Sequence, residues 1–299
     1  MVKKIVSTPR PILPQKPSNS IVKSVPIVKK IEIHKVISKP AATPQPVTKS
    51  KPIIRNQIKP QKIHKERPVS YIVTDITPQS ISNISKIKNT GMGKILCILG
   101  NGPSLNEVDT KHIKRLNIDI LSINHPDPRV WPTKYWAFFD ASQMRRHSEL
   151  WDSYNGIIFN STAIKKQKET SMQFRSLRTK GFSRNLIDGI HIGRSSVYAS
   201  MQIALWMNYD YVFILGVDMN PNGIGGKLHY YGTNPDARPE DRIKSFEKEA
   251  ENYEHAAHVL NEDERKRFFF CSEYNNWPFT TKFNKLSQKS VLEKISELL

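Results

Sequence analysis

Gly100-Asn101-Gly102-Pro103-Ser104 are residues of the types that can hold an anion. The two glycines carry no Cβ, so backbone N–H groups beside them can come close to a ligand. The apolar run Ile95–Leu99 leads into them and reads as a buried strand. A helix is expected to follow over about Leu105–Leu116, because Ser104 and Glu107 have the S-x-x-E spacing of a capping box. Strand, glycine turn and helix N-terminus together suit negative charge, since unpaired N–H groups and the helix dipole act in the same sense. An ordinary βα turn is the other reading of the same residues. The stretch is not a Walker loop, and it lacks the third glycine of G-x-G-x-x-G.

Other candidate residues share one feature, which is that each ends an apolar run. Asn124 follows Ile118–Ile123, Asp140 follows Tyr135–Phe139, and Asn160 follows Gly156–Phe159. In an open parallel sheet such positions line the carboxyl edge, where ligands bind. Singly, each is also a common turn or cap residue. Asp218 stands just past the run Tyr211–Leu215 and is of a type that can hold a metal, a ribose or a proton, or simply close a turn. Ser195 or Ser196 is expected to cap an amphipathic core helix carrying Val197, Met201, Ala204 and Leu205.

These residues need a frame, and the order of runs and helical stretches predicts one. The expected fold is α/β and Rossmann-like, a mostly parallel sheet with helices on both faces, over residues 91–299. Helices are expected over Met144–Trp151, Glu240–Asn261 and Val291–Leu298, and a strand over Arg267–Cys271. Residues 163–188 are rich in Lys and Arg and read as a solvated insertion, with a mobile lid as the alternative. His255 and His258 on the long helix lack a third ligand and read as surface or packing residues.

Composition sets residues 1–90 apart. They contain no Gly, Phe or Trp, hold 12 of the 20 prolines, and carry 18 Lys or Arg against 3 Asp or Glu. That is +15 of the total +19, which leaves +4 for the rest of the chain. Prolines at this density block helix interiors and central strands, and little apolar surface is available to offset chain entropy. A disordered Lys/Pro-rich arm is expected over residues 1–90, acting as a tether or, alternatively, holding nucleic acid or another polyanion. Its end, Tyr71–Ile87, is a segment that can lie across the domain. Cys97 and Cys271 sit in apolar runs and read as buried free thiols. No membrane span or secretory segment is read, and a cytoplasmic setting is expected.

Three blocks taken together resemble a known superfamily: I98-L99-G100-N101-G102-P103-S104-L105; G193-R194-S195-S196-V197-Y198 with the run to G216-V217-D218; and H229-Y230-Y231-G232. The set resembles the bacterial sialyltransferases that use CMP-N-acetylneuraminate. It is also similar to the related Maf flagellin-modifying proteins, archaeal 6-hydroxymethylpterin diphosphokinases (MptE-like proteins) and many phage proteins; a phage-encoded member would work in the host cytoplasm. The likeness spans about residues 94–235. It implies nucleotide contacts from Asn101, Gly102, Ser104 and Asn124; Gly100 and Pro103 of the same turn, and Asp140 and Asn160 from the strand-end rule, complete the candidate nucleotide-binding set. It also implies donor contacts from Ser195 and Ser196, where the family commonly has Ser-Gly, and a phosphate-binding aromatic pair at Tyr230 and Tyr231.

The activity so implied is glycosyl transfer from a nucleotide-activated sugar donor, CMP-linked or similar, to an acceptor not named by the residues, with no metal or other cofactor required. Such transfer needs a base for the acceptor hydroxyl and support for the departing phosphate. His229 and Asp218 are the candidate bases, with His191 behind them. The runner-up is a diphosphokinase in which Asp140 and Asp218 hold Mg²⁺. A third possibility is a non-catalytic nucleotide-binding scaffold whose arm binds polyanions.

Overall fold

The structure is a computed structural model, and it describes residues 76–125, 127, 130–232 and 239–299. The expected arm therefore falls, over residues 1–75, outside the described residues. Residues 76–90 do not behave as arm. Thr77 caps helix α1 (Pro78–Lys86) by accepting from Ser80 N, with Pro78 at the first helical position, where a missing N–H costs nothing. Ile84 is wholly buried and Ile87 nearly so. The Trp206 indole donates to the Ile84 carbonyl (2.9 Å), and Gly91 N donates to Met207 O (2.7 Å). The folded unit thus begins before Gly91. Ile84→Ala in the full chain is expected to cost about 3 kcal/mol of unfolding free energy, as a core truncation does. Urea denaturation checks this; a residue of a free arm would cost nothing.

The remaining chain builds one parallel sheet of eight strands with order β10-β9-β8-β1-β2-β3-β4-β5. These are β1 (Ile95–Leu99), β2 (Asp119–Ile123), β3 (Tyr135–Ala137), β4 (Ile157–Ser161), β5 (Ser171–Phe174), β8 (Tyr211–Leu215), β9 (Phe268–Cys271) and β10 (Asn284–Leu286). Short strands β6 (Ser176–Leu177) and β7 (Ile190–His191) pair separately. Strand β1 lies between β2 and β8, with Cys97 opposite Ile120 on one side and Phe213 on the other.

Side chains alternate across the pleat, and the two faces are covered by different helices. Leu96, Ile98, Val212 and Ile214 face α1, α5 (Ser196–Trp206) and α6 (Pro239–Val259). Ile95, Cys97, Leu99, Phe213 and Leu215 face the other way, against Ile113 of α2 (Thr110–Ile113) and Val291 and Ile295 of α8 (Ser290–Leu298). Trp136 and Ile158 pack on Trp151 of α4 (Ser148–Ser153), which follows α3 (Ala141–Arg146). The expected Rossmann-like α/β fold is what the chain adopts. Among the described residues no helix is long and apolar enough to cross a membrane. Cys97 and Cys271 are free and buried, and burial pushes the Cys97 thiol up to about 12.

Several local expectations are corrected. The stretch after β1 is a 3-10 turn (Pro103–Glu107) capped by Gly102 without a side-chain bond, followed by the four-residue α2. No capping box forms at Ser104. One does form at Asn261 and Glu264, where α7 (Glu262–Lys266) starts. Residues 163–188 are solvated in their basic side chains, Lys165, Lys166, Arg178, Lys180 and Arg184 being exposed, but they are no mere insertion: β5 is the edge strand of the sheet, and Phe174 and Leu186 are wholly buried. Gln202 binds the following segment with all its capacity, accepting from Ser183 N and His191 N and donating to His191 O and Tyr198 O. Helix α5 is not amphipathic. From Val197 to Ala204 every residue is buried, Ser200 and Gln202 included.

Candidate functional site

A cavity of about 400 Å³ opens at the carboxyl edge of the sheet, above β1, β2 and β8. The chain order reverses between β1 and β8, which makes this the switch-point crevice where open α/β sheets bind ligands. Its walls come from the turns after those strands, the start of α5 and one face of α6. Of the residues singled out from sequence, Gly100, Asn101, Gly102, Pro103, Asn124, Asp140, Ser195, Ser196, Asp218 and His229 line it.

The glycine turn serves a different purpose from the one expected. Gly100 N donates to Leu215 O (2.8 Å) and Gly102 N to Gly216 O (2.7 Å), so these N–H groups are spent on the neighbouring strand end. A Cβ on Gly100 would lie 2.4 Å from Gly216 O, and one on Gly102 would lie 2.3 Å from Asp218 Oδ2. The glycines let two chain segments touch rather than admit a phosphate.

Asp218 is the knot of that contact. It is 4% exposed; its Oδ1 accepts from the hydroxyls of Ser104 and Ser272 (2.6 Å each) and its Oδ2 from Ser104 N (3.0 Å). Ser104 is itself wholly buried beneath it. A carboxylate holding three donors has little capacity left to take a substrate proton, so Asp218 is corrected from candidate base to scaffold. The same occupancy makes it a poor Mg²⁺ ligand. Asp140 is exposed at the rim and caps α3 through Ser142 N (2.8 Å), a bond that, with Arg145 and Arg146 assisting, holds its carboxyl below the usual range. Among the described residues no three His, Cys, Asp or Glu side chains gather to hold a metal. The Asp140–Asp218 pair does not fit that ion.

The anion-favouring element is α5. Gly193 and Arg194 both take left-handed backbone (φ 56° and 63°), and turn the chain sharply into the helix. Ser195 is the N-cap but makes no capping bond, and no acceptor among the described residues meets the N–H groups of Ser196, Val197 and Tyr198. Ser195, Ser196 and Val197 line the cavity, so the positive end of an 11-residue helix opens into it. Ser196 Oγ donates to Asn124 Oδ1 (3.1 Å), and Asn124 holds left-handed backbone at the end of β2 (φ 57°). Asn101 Oδ1 is buried without a hydrogen-bond partner among the described residues.

Two proton-handling groups face this space. His229 lines the cavity, and burial, with the Arg242 charge assisting, lowers its pKa; an interaction with the Asn101 backbone acts the other way. Glu249 on α6 was not singled out from sequence. It lines the cavity beside Phe246, its Oε1 accepts from the Tyr253 hydroxyl (3.1 Å), and that hydroxyl lies 3.2 Å from Ser195 Oγ. Burial raises its pKa, while the Ser195 and Tyr253 hydrogen bonds oppose the rise.

Other predicted residues stand elsewhere. Asn160 is wholly buried within β4, because that strand runs on to Ser161. His191 lies outside the cavity, and its Nδ1 donates to Thr179 O (2.8 Å). The Tyr230 hydroxyl donates to His125 O (2.7 Å) and must therefore accept from His125 Nδ1 (2.9 Å), which fixes the Nδ1–H tautomer of that ring. Tyr231 is half exposed and stacks between His125 (4.4 Å) and His229 (5.0 Å), with His147 edge-on to His125 (4.4 Å). The aromatic pair buttresses His229 and does not line the cavity. A second hollow of about 310 Å³, walled by Pro221, Tyr274, Trp277 and Pro278, adjoins the first through Met219 and Asn220.

The fold and its crevice define a doubly wound parallel α/β protein with a cavity at the switch point. No protein-family model and no curated protein matches the chain.

Proposed function

We propose that the protein is a nucleotide-dependent transferase, a glycosyltransferase of the sialyltransferase-like kind, acting without a metal bound by its own carboxylates. The observation that carries this reading is the uncapped N-terminus of α5 opening into a switch-point cavity of about 400 Å³. Unpaired helix N–H groups there suit a donor phosphate both before and after it departs. Asn101, with its unpartnered buried oxygen, suits an N–H or O–H of the nucleoside. The volume is in the range of small-molecule sites. The acceptor would enter by the Tyr274–Trp277 hollow, whose rings offer apolar platforms. His229, uncharged at neutral pH because its pKa is lowered, is the base for the acceptor hydroxyl. The diphosphokinase reading is disfavoured, because it asks Asp218 for oxygens that Ser104 and Ser272 already hold.

Thermal-shift binding of the full chain to CMP, CDP, UDP, GDP and ATP, each with and without Mg²⁺, tests the proposal. Stabilisation by a pyrimidine nucleotide regardless of Mg²⁺ is expected; stabilisation by ATP only with Mg²⁺ would favour the diphosphokinase. Silence from all of them, with polyanions binding to residues 1–90, would favour the scaffold. For the transferase, the acid limb of kcat/KM should lie below the ordinary His value of 6.5, since activity is lost as pH falls through the lowered pKa. His229→Gln should lower kcat on the order of 10²–10⁴-fold and abolish that limb. A limb unchanged in this variant would remove His229 from the role.

A further inference from the structure

We propose that Glu249 couples anion binding in the cavity to proton uptake: its carboxyl meets the ligand's phosphate in the neutral form, as a hydrogen-bond donor. The inference rests on the reading of the cavity as a nucleotide site. Helix α6 turns Phe246 and Glu249 toward the cavity, and Tyr253, one turn on, ties Glu249 to the N-cap of α5. The same spot therefore holds helix N–H groups that favour an anion and a carboxyl that, ionised, repels one. Only one of the two can be charged at low cost.

The hydrogen bonds show which oxygen is available. Tyr253 donates to Glu249 Oε1, and the Ser195 hydroxyl, 3.2 Å from the Tyr253 oxygen, also acts on the Glu249 carboxyl and favours its charged form. The Tyr253 bond is to Oε1, so Oε2 is the oxygen that takes up the proton, an O–H bond being the only bond formed. The charged and titratable groups around this network are Arg194 before α5, Tyr198 on α5, Asp218 and His229 after β8, Asp140 after β3 and, on α6 itself, Arg242, whose charge acts on His229. Of these Arg194 and Arg242 are fixed cations; Arg194 is exposed, and neither is among the groups that act on the Glu249 carboxyl. Burial already favours the neutral carboxyl, and a bound phosphate acts in the same direction. By linkage, what favours the proton when ligand binds must favour ligand when the proton binds.

The test uses the full-length protein and CDP, with isothermal calorimetry between pH 6 and 8 in two buffers of different ionisation heat. Proton uptake approaching one per CDP is expected, with affinity falling about tenfold per pH unit above the Glu249 midpoint. Glu249→Gln carries a donor at every pH and should bind CDP with that slope removed. Ionisation of the CDP phosphate and of His229 contributes equally to both proteins, so the difference between them isolates Glu249. Tyr253→Phe removes a donor that favours the charged carboxyl and should move the midpoint to higher pH. A Glu249→Gln slope equal to that of the wild type would overturn the inference, as would an unmoved midpoint in Tyr253→Phe should Glu249→Gln fail to fold. If the wild type bound CDP with no proton uptake, this inference alone would fall. If it bound no nucleotide at all, the nucleotide reading would fall and take this one with it.

Discussion

Asp218→Ala is expected to lower the unfolding free energy by about 4 kcal/mol, read as an earlier midpoint in urea with an unchanged slope. Removing the carboxylate leaves the two Ser hydroxyls and the Ser104 N–H, all buried, without their acceptor. Each unsatisfied buried group costs about 1–3 kcal/mol. Asp218→Asn should be much milder, about 1 kcal/mol. Its amide oxygen can sit where Oδ2 accepts from Ser104 N, and its NH₂ can face the two hydroxyls, which rotate to accept. A catalytic carboxylate would give the opposite ranking of consequences, with Asn abolishing activity while stability held. Equal and small stability losses for both variants would show that the knot is not what ties the β1 and β8 turns together.

Ser196→Asp is expected to make the protein more stable and its nucleotide binding far weaker. An acidic side chain in the first turn complements the helix dipole by about 0.3–1 kcal/mol, and α5 has neither a cap nor an acidic first turn of its own. The same carboxylate lies at the cavity wall, where like charges about 4 Å apart at an effective dielectric near 20 repel by about 4 kcal/mol. Affinity for CDP should thus fall by at least two orders of magnitude while the melting temperature rises. Ser196→Ala separates the terms, because it loses only the bond to Asn124 and should weaken binding less than tenfold. Undiminished CDP binding in Ser196→Asp would place the phosphate elsewhere.

How much of this was legible beforehand varies by residue. Strands β1 and β8 are continuous apolar runs, and their limits match the sequence reading to the residue. Strand β5, Ser171-Met172-Gln173-Phe174, is half polar and lies among lysines, so no run marks it, although its edge position needs none. Helix α1 was hidden by its surroundings: the prolines and β-branched pairs before it describe extended chain, yet Ile84 and Ile87 stand at helical spacing. Asn124 and Asp140 followed from the rule that strand ends meet ligands. Asn160 broke the rule because β4 continues past it. The G-x-G residues were found, but their purpose was not, since the partner that crowds them is more than a hundred residues away in sequence. Glu249 had one signal that went unused. It shares the helical stripe of Phe246, Ala250 and Tyr253, and a carboxylate on an apolar stripe is seldom only a surface charge.

The all-round burial of α5 divides the cavity into a part that cannot adapt and a part that can. With core packed on every side and Gln202 fully bonded, the helix cannot tilt or slide to suit a larger ligand. The wall contributed by residues 220–229 has no buried residue and lies outside the core. On the transferase reading, selection for a new sugar or acceptor would be written in that loop ahead of His229, leaving the α5 end of the cavity untouched. Loop exchange between related chains should transfer preference without a loss of melting temperature.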